Sequence, residues 1–296
     1  MASHGKAYEP FVYGTAWKRE QTASLVAKAL QNDFKSFDTA CQPKHYREDL
    51  VGQALRDALS SGHLKDRADL HVQTKFSRPT AQDPSDVPYP LDAPLEDQIR
   101  ASISRSLHNL RHEEDDSTAY LDCLMLHSPY PDFEDTTRAW RVFESYIPEK
   151  VRVLGISNAR LETLKRLYDA AAVKPAIVQS RFHPETGFEG RMRSFCAEKR
   201  ILFQAHKVLK GNKELLQNKA LGRMGSRIGI SAETMLYMSI QSLHGQIQIF
   251  NGTKSEDHMS EDMDALKVFQ EWKLVSQNLV EWNEWMKQFR VLTGDE

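Results

Sequence analysis

The chain of 296 residues has only three cysteines, Cys41, Cys123 and Cys196, far apart and without metal-ligand spacing. That scarcity excludes a disulfide framework and fits free thiols in a reducing compartment. Net charge is nearly absent too, since 39 Lys and Arg against 41 Asp and Glu leave −2. Nucleic acid therefore has no electrostatic footprint as a partner. No run of 18 or more apolar residues occurs, and the opening MASHGKAYEP lacks an apolar leader core. The expectation is a soluble, cytoplasmic protein with no membrane partner. Also missing are GxGxxG, GxSxG, HExxH and any His-x-His pair, and GTKS from Gly252 lacks the Walker spacing. A Rossmann fold, a serine hydrolase and a metal hydrolase all lose their support, and no metal is expected.

What is present is an alternation. Short apolar runs recur at FVYGTAW from Phe11, KSFDTA from Lys35, DLHVQTK ending at Lys75 and LDCLMLH ending at His127. They continue as VRVLGIS from Val151, AIVQS from Ala176, ILFQA from Ile201 and QIQIF from Gln246. Between them lie amphipathic stretches such as EDLVGQALRDAL and LEDQIRASISRSLHNL, with apolar residues three and four apart. Eight strands alternating with helices predict an α/β protein, a (β/α)8 TIM barrel, because parallel strands need helical crossovers and closure removes both sheet edges. The whole chain reads as one domain, with a barrel core over about residues 11–265 and a helical tail over 266–296 carrying Trp272, Trp282 and Trp285. The stretch from Ser77 to Leu95 holds five of the twelve prolines and is expected as a loop over the top of the barrel, since the alternation resumes beyond it.

Chemistry in such a barrel gathers at the C-terminal ends of the strands. Asp38, Lys75 and His127 fall at the ends of the second, third and fourth strands, and Tyr46 lies in the loop after the second. Each alone has an ordinary explanation, as a turn cap, a surface charge or a core histidine. Together they suit proton donation by a tyrosine. A phenol is a poor acid at neutral pH, and the expectation is that an ammonium at Lys75 lowers its pKa while Asp38 balances the lysine. His127 would orient a carbonyl. These four residues supply neither a nucleophile nor a metal cage, so a cofactor must bring the remaining chemistry.

The segments GTAW, FDTA with QPKHYRE, VQTK, LDCLMLHSP, GISN, VQSRFHP and NGTKSEDHMSED occur in an order that resembles the aldo-keto reductase superfamily, over about residues 11 to 265. The QPKHY form and the proline-rich loop are most similar to its fungal-type branch. The resemblance implies hydride transfer from NADPH to an aldehyde or ketone, with Tyr46 as general acid, Asp38 and Lys75 tuning it, and His127 positioning the carbonyl. It places Ser157, Asn158 and Gln179 on the nicotinamide carboxamide, His206 where an aromatic ring stacks on the nicotinamide, Thr253, Lys254 and Ser255 near the 2′-phosphate of NADP, and Glu261 and Asp262 near the adenine. Trp17 and Phe76, with Tyr89, would line an apolar substrate pocket.

Three positions depart from the family pattern. His206 replaces the usual aromatic ring, and a charged imidazole there would oppose oxidised nicotinamide. Gly252 and His258 stand where many members direct a lysine and an arginine at the 2′-phosphate, which leaves NAD open beside NADP. Asp38 and Tyr46 are spaced more widely than usual, which leaves His45 as an alternative occupant of the tyrosine's point. A reading of another class also stays open, a nucleotide-binding regulatory subunit with little turnover. The oligomeric state and the particular carbonyl are not written in the sequence.

Overall fold

The structure, a computed structural model, describes residues 8–295. The opening segment from which the leader was judged lies mostly outside those residues. Eight strands form a closed parallel barrel in sequence order: β1 (Phe11–Gly14), β2 (Ser36–Asp38), β3 (His71–Phe76), β4 (Leu121–Leu126), β5 (Val151–Ser157), β6 (Ile177–Arg181), β7 (Leu202–His206) and β8 (Ile247–Asn251). β8 pairs back onto β1 through Phe11 and Ile249. Each of the eight apolar runs therefore becomes a strand, and the (β/α)8 expectation holds.

The helices follow from local periodicity. α1 (Thr22–Gln31) and α2 (Glu48–Ser60) pack side by side, and α2 buries Val51, Ala54, Leu55 and Ala58 on one stripe. α3 (Leu95–Asn109) buries Ile99, Ser102, Ile103 and Ser106 in the same three-and-four spacing. Gly52 allows these two helices to meet, because a Cβ there would lie 1.8 Å from the Asn109 carbonyl oxygen. α4 (Phe133–Glu144), α5 (Leu161–Ala170) and α6 (Gly190–Lys199) complete the next crossovers. After β7 come two single turns, α7 (Val208–Gly211) and α8 (Lys213–Leu216), then α9 (Lys219–Ile228) and α10 (Ala232–Gln241).

Beyond β8 run α11 (Glu256–Lys273) and α12 (Ser276–Thr293). The boundary drawn near residue 265 falls inside α11, because Ser255 accepts from the His258 amide and starts that helix directly after the strand. α12 buries Trp282, Trp285, Met286 and Phe289, and Trp285 Nε1 donates to Ser239 Oγ on α10 at 2.9 Å. Its tryptophans are packing residues, each large side chain stabilising the contact by roughly 1.5–3 kcal/mol.

The main apolar core lies between barrel and helices, while Cys123, Met125, Ile177 and Leu202 form a small separate cluster inside the barrel. Above that cluster the interior is unusually polar for this architecture, where branched apolar residues dominate. Gln73, Gln179 and Gln248, from three strands, are all hydrogen-bonded to Gln204 on a fourth, with Gln179, Gln204 and Gln248 side by side in register on β6, β7 and β8. Gly155 makes room for the filling of the barrel, since a Cβ there would sit 2.9 Å from Met125 Cε and 3.0 Å from the Ile177 carbonyl oxygen.

Candidate active site

Alternation along β2 and β3 turns Asp38 and Lys75 to the barrel interior, where the lysine side chain is 0% and the aspartate 2% exposed. Lys75 Nζ lies 2.5 Å from both Asp38 carboxylate oxygens and 3.0 Å from the Thr39 carbonyl oxygen. Gln73, two residues earlier on the same face, donates to Asp38 Oδ1 at 2.6 Å, and Gln179 reaches the same oxygen at 3.3 Å. The buried charge pair is thus compensated and additionally hydrogen-bonded, the condition under which such a pair persists in low dielectric.

Tyr46 closes over this pair. Its ring centroid is 5.4 Å from Lys75 Nζ and 6.0 Å from the His127 ring. Its hydroxyl makes no hydrogen bond to another described residue. Adjacent His45 turns away and stacks on Trp17 with ring centroids 3.7 Å apart. Tyr46, rather than His45, therefore joins Lys75 and His127. The expected lowering of the phenol pKa does not occur in this structure: burial pushes it well up, and the Asp38 carboxylate adds in the same direction. The physical reason is first that burial disfavours the charged phenolate, and second that the Asp38 carboxylate works against the positive field of Lys75 at the ring.

Both histidines at the mouth are neutral. Burial, followed by the Lys75 charge, pulls His127 down to about 3. Burial and then Lys75 and Arg181 bring His206 to about 3 as well. The objection that a cationic His206 would oppose oxidised nicotinamide is removed. His127 Nδ1 lies 2.6 Å from Ser77 Oγ, and its carbonyl accepts from the Asn158 side chain at 3.0 Å.

At the ends of β5 and β6, Asn158 Nδ2 donates to Ser157 Oγ and Ser157 Oγ donates to Gln179 Oε1, each at 3.1 Å. These three side chains form one cluster offering amide and hydroxyl groups beside the Asp38–Lys75 pair. A model of the aldo/keto reductase family matches residues 8–226. The chain belongs to the aldo/keto reductase family. It is 26% identical to an NADPH-dependent codeinone reductase 1-4 of Papaver somniferum, over 97% of this chain and 86% of that protein. It is 29% identical to the glyoxal reductase of Bacillus subtilis, over 83% of this chain and 77% of the relative. An aldo-keto reductase from a Medee basin deep-sea metagenome library has the same fold at a TM-score of 0.75 and 19% identity, covering 99% of this chain and 94% of that one. A Bombyx mori aldo-keto reductase in complex with NADP gives a TM-score of 0.70 at 18% identity, over 89% and 85% of the two chains.

The remaining positions of this family barrel divide into those at the mouth and those turned inward. Thr253, Lys254 and Ser255 lead from β8 into α11, with the Thr253 carbonyl accepting from the Tyr13 hydroxyl at 2.9 Å. Lys254 is exposed near Gln21, at 3.5 Å. His258 contributes its backbone amide to the α11 cap, and Glu261 is exposed on the same helix. Asp262 is not presented to a nucleotide. It is buried, and its two oxygens accept from Thr234 Oγ1 at 2.9 Å and Asn251 Nδ2 at 2.7 Å; burial raises its pKa to about 6.

The substrate pocket also requires correction. Trp17 stands at the rim, 58% exposed, but Phe76 is 1% exposed and packs on Tyr89 at 5.5 Å and on Phe143 of α4 at 6.4 Å. Parity decides this: Lys75 faces inward, so its neighbour Phe76 faces the helices. Tyr89 is buried with it, its hydroxyl donating to the Ser77 carbonyl. Three residues of the site were missed by sequence reasoning. Gln73 and Ser77 flank Lys75 at spacings of two, a signal the strand period carries. Lys18, directly after GTAW, is buried and donates to the Gly252 and Thr253 carbonyls at 2.6 and 2.9 Å. Burial, then Lys254 and Lys210, lower it to about 8.

Proposed function

We propose that this chain is an NADPH-dependent reductase of aldehydes or ketones. The observation that carries the reading is the convergence of Tyr46, a buried Asp38–Lys75 pair and neutral His127 at one end of a barrel whose family is shown. Named relatives act with NADPH or on glyoxal, which supports the same chemistry here. The chain's residues fit the cofactor. Ser157, Asn158 and Gln179 offer the donors and acceptors that a carboxamide needs. His206, as a neutral ring, can lie against the nicotinamide. Lys254 and Lys210 are close enough to Lys18 to add to the lowering of its pKa, and the three cations together are a setting for phosphate. Thr253 and Ser255 lie beside them, with His258 and Glu261 further along α11. When bound, reduced nicotinamide supplies the hydride that the carbonyl carbon receives.

Tyr46 delivers the proton to the carbonyl oxygen. Its raised pKa keeps the phenol protonated at neutral pH, and the charge developing on the oxygen drives the transfer. His127 donates a hydrogen bond to the same oxygen and does so without carrying charge. Lys75, held by Asp38, places a fixed positive charge beneath the phenol as it loses its proton. Trp17 and His45 form the rim that an apolar or aromatic carbonyl compound would meet. The QPKHY form and the proline-rich loop support placement in the fungal-type branch. The even charge balance and the lack, among the described residues, of a helix long and apolar enough to cross a membrane support a cytosolic setting.

The test is titration of the purified protein with NADPH and NADH by tryptophan fluorescence, followed by an aldehyde panel with absorbance of the reduced cofactor monitored. Consumption by the wild type, lost in Tyr46→Phe with cofactor binding intact, is the expected result. Tight binding without consumption across the panel would favour the regulatory reading. Turnover retained in Tyr46→Phe would remove the tyrosine from the acid role.

A further inference from the structure

Ser77 follows β3 at the position two beyond Lys75, and its side chain is fully buried. Its Oγ lies 2.6 Å from His127 Nδ1, and no other partner of that hydroxyl exists among the described residues. Two arrangements of the proton are conceivable, and they are not equivalent. If His127 Nδ1–H donated to Ser77, the serine's own hydroxyl hydrogen would be left buried without an acceptor, a substantial penalty. If Ser77 Oγ–H donates to a bare Nδ1, the hydroxyl is satisfied and the imidazole proton resides on Nε2. That nitrogen is on the ring edge away from Ser77 and has no partner among the described residues.

We propose that Ser77 is a positioning residue whose hydroxyl donates to His127 Nδ1 and so fixes the imidazole as the Nε2–H tautomer, a hydrogen-bond donor toward the mouth of the barrel. Its effect on turnover rests on the reductase reading above. Only a neutral imidazole has tautomers to choose between, and burial together with the Lys75 charge keeps His127 in that state. The proline-rich loop holds Ser77 in place. The Tyr89 hydroxyl donates to the Ser77 carbonyl at 2.5 Å, and Gln82 Nε2 donates to that carbonyl at 3.3 Å and to the Cys41 carbonyl at 2.9 Å. Gln42 secures the loop's first turn through the Ala81 carbonyl at 2.6 Å. None of these anchors uses the Ser77 side chain, and those from Tyr89 and Gln82 engage its backbone carbonyl, so they survive replacement of that side chain.

The experiment is long-range ¹H–¹⁵N correlation of the histidine rings at neutral pH, with His127 assigned by the loss of its signals in His127→Gln. The expected wild-type spectrum has a protonated Nε2 and a bare Nδ1. In Ser77→Ala the two tautomers mix, and in Ser77→Thr, which keeps the hydroxyl, the wild-type pattern returns. kcat for an aldehyde should fall about fivefold in Ser77→Ala, the worth of one ordinary hydrogen bond, with KM for NADPH unchanged and recovery in Ser77→Thr. A wild-type spectrum with the proton on Nδ1, or an unchanged tautomer in Ser77→Ala, would overturn the proposal. The spectra are of the cofactor-free protein, so they decide the tautomer even if no carbonyl compound is turned over; absent turnover with the expected spectra would refute the reductase reading alone.

Discussion

Replacing Lys75 with methionine tests the electrostatic core of the site. The substitution removes the cation from a pair with both carboxylate oxygens at 2.5 Å, in a position closed to solvent. Asp38 then keeps only the Gln73 and Gln179 amides, at 2.6 and 3.3 Å. Breaking a buried pair by removing one partner costs about 3–5 kcal/mol. Two surviving amide donors place the loss near the lower end, about 3 kcal/mol. For 296 residues, with an unfolding entropy of about 2.1 cal/mol/K per residue, that lowers the unfolding midpoint by about 5 °C. The double variant Asp38→Asn/Lys75→Met contains no stranded charge, so its loss should fall short of the sum of the single variants by about 2 kcal/mol. Thermal and urea unfolding of the four proteins, followed by circular dichroism, measure the cycle. Additive losses, or a Lys75→Met midpoint within about 2 °C of wild type, would refute the reasoning. Carbonyl reduction should fall in all three variants, so that the double variant regains stability without regaining activity.

Other expectations follow from the charge states. His127 and His206, held near 3 against an ordinary 6.5, leave kcat for reduction without an inflection near 6.5; a clear limb there contradicts their neutrality. Because the unfolded chain takes up protons that these rings refuse, their effect on stability is absent above 6.5 and destabilising as pH falls from there toward 3, measurable by urea unfolding. Glu48 is buried with donors from Thr74, Ser106 and Asn109 and with its pKa raised by burial. The wild type should lose stability as pH rises from the ordinary 4.5 through the higher folded value, and Glu48→Gln should remove that dependence. With Lys18 at about 8, NADPH affinity should weaken as pH rises through that value, and Lys18→Met should flatten the profile in a fluorescence titration. Gly252 has open space where a Cβ would stand, so Gly252→Lys should tighten NADPH relative to NADH by about two- to fivefold, the worth of an exposed charge contact.

The alternation of short apolar runs with three-and-four-spaced helices was sufficient to read the barrel, because strand and helix periods are properties of a few consecutive residues. The same reading placed Asp38, Lys75 and His127 at strand ends, and the parity of β3 already held Gln73 in phase with Lys75 and Phe76 out of phase. Facing was nevertheless misjudged for Phe76, which that parity turns to the helices, and for Tyr89, which only the path of the proline-rich loop brings onto Phe76. Asp262 turned inward because Asn251 and Thr234, eleven and twenty-eight positions away, met it across β8 and α10. The charge states were the least legible of all. A phenol beside a lysine was expected to be more acidic, and only the tertiary structure joined that lysine to Asp38 across thirty-seven positions and enclosed the phenol. Local period is set by backbone geometry and is visible in the sequence. Burial and the identity of a charge's partner are set by distances between remote segments, which exist only once the barrel has closed.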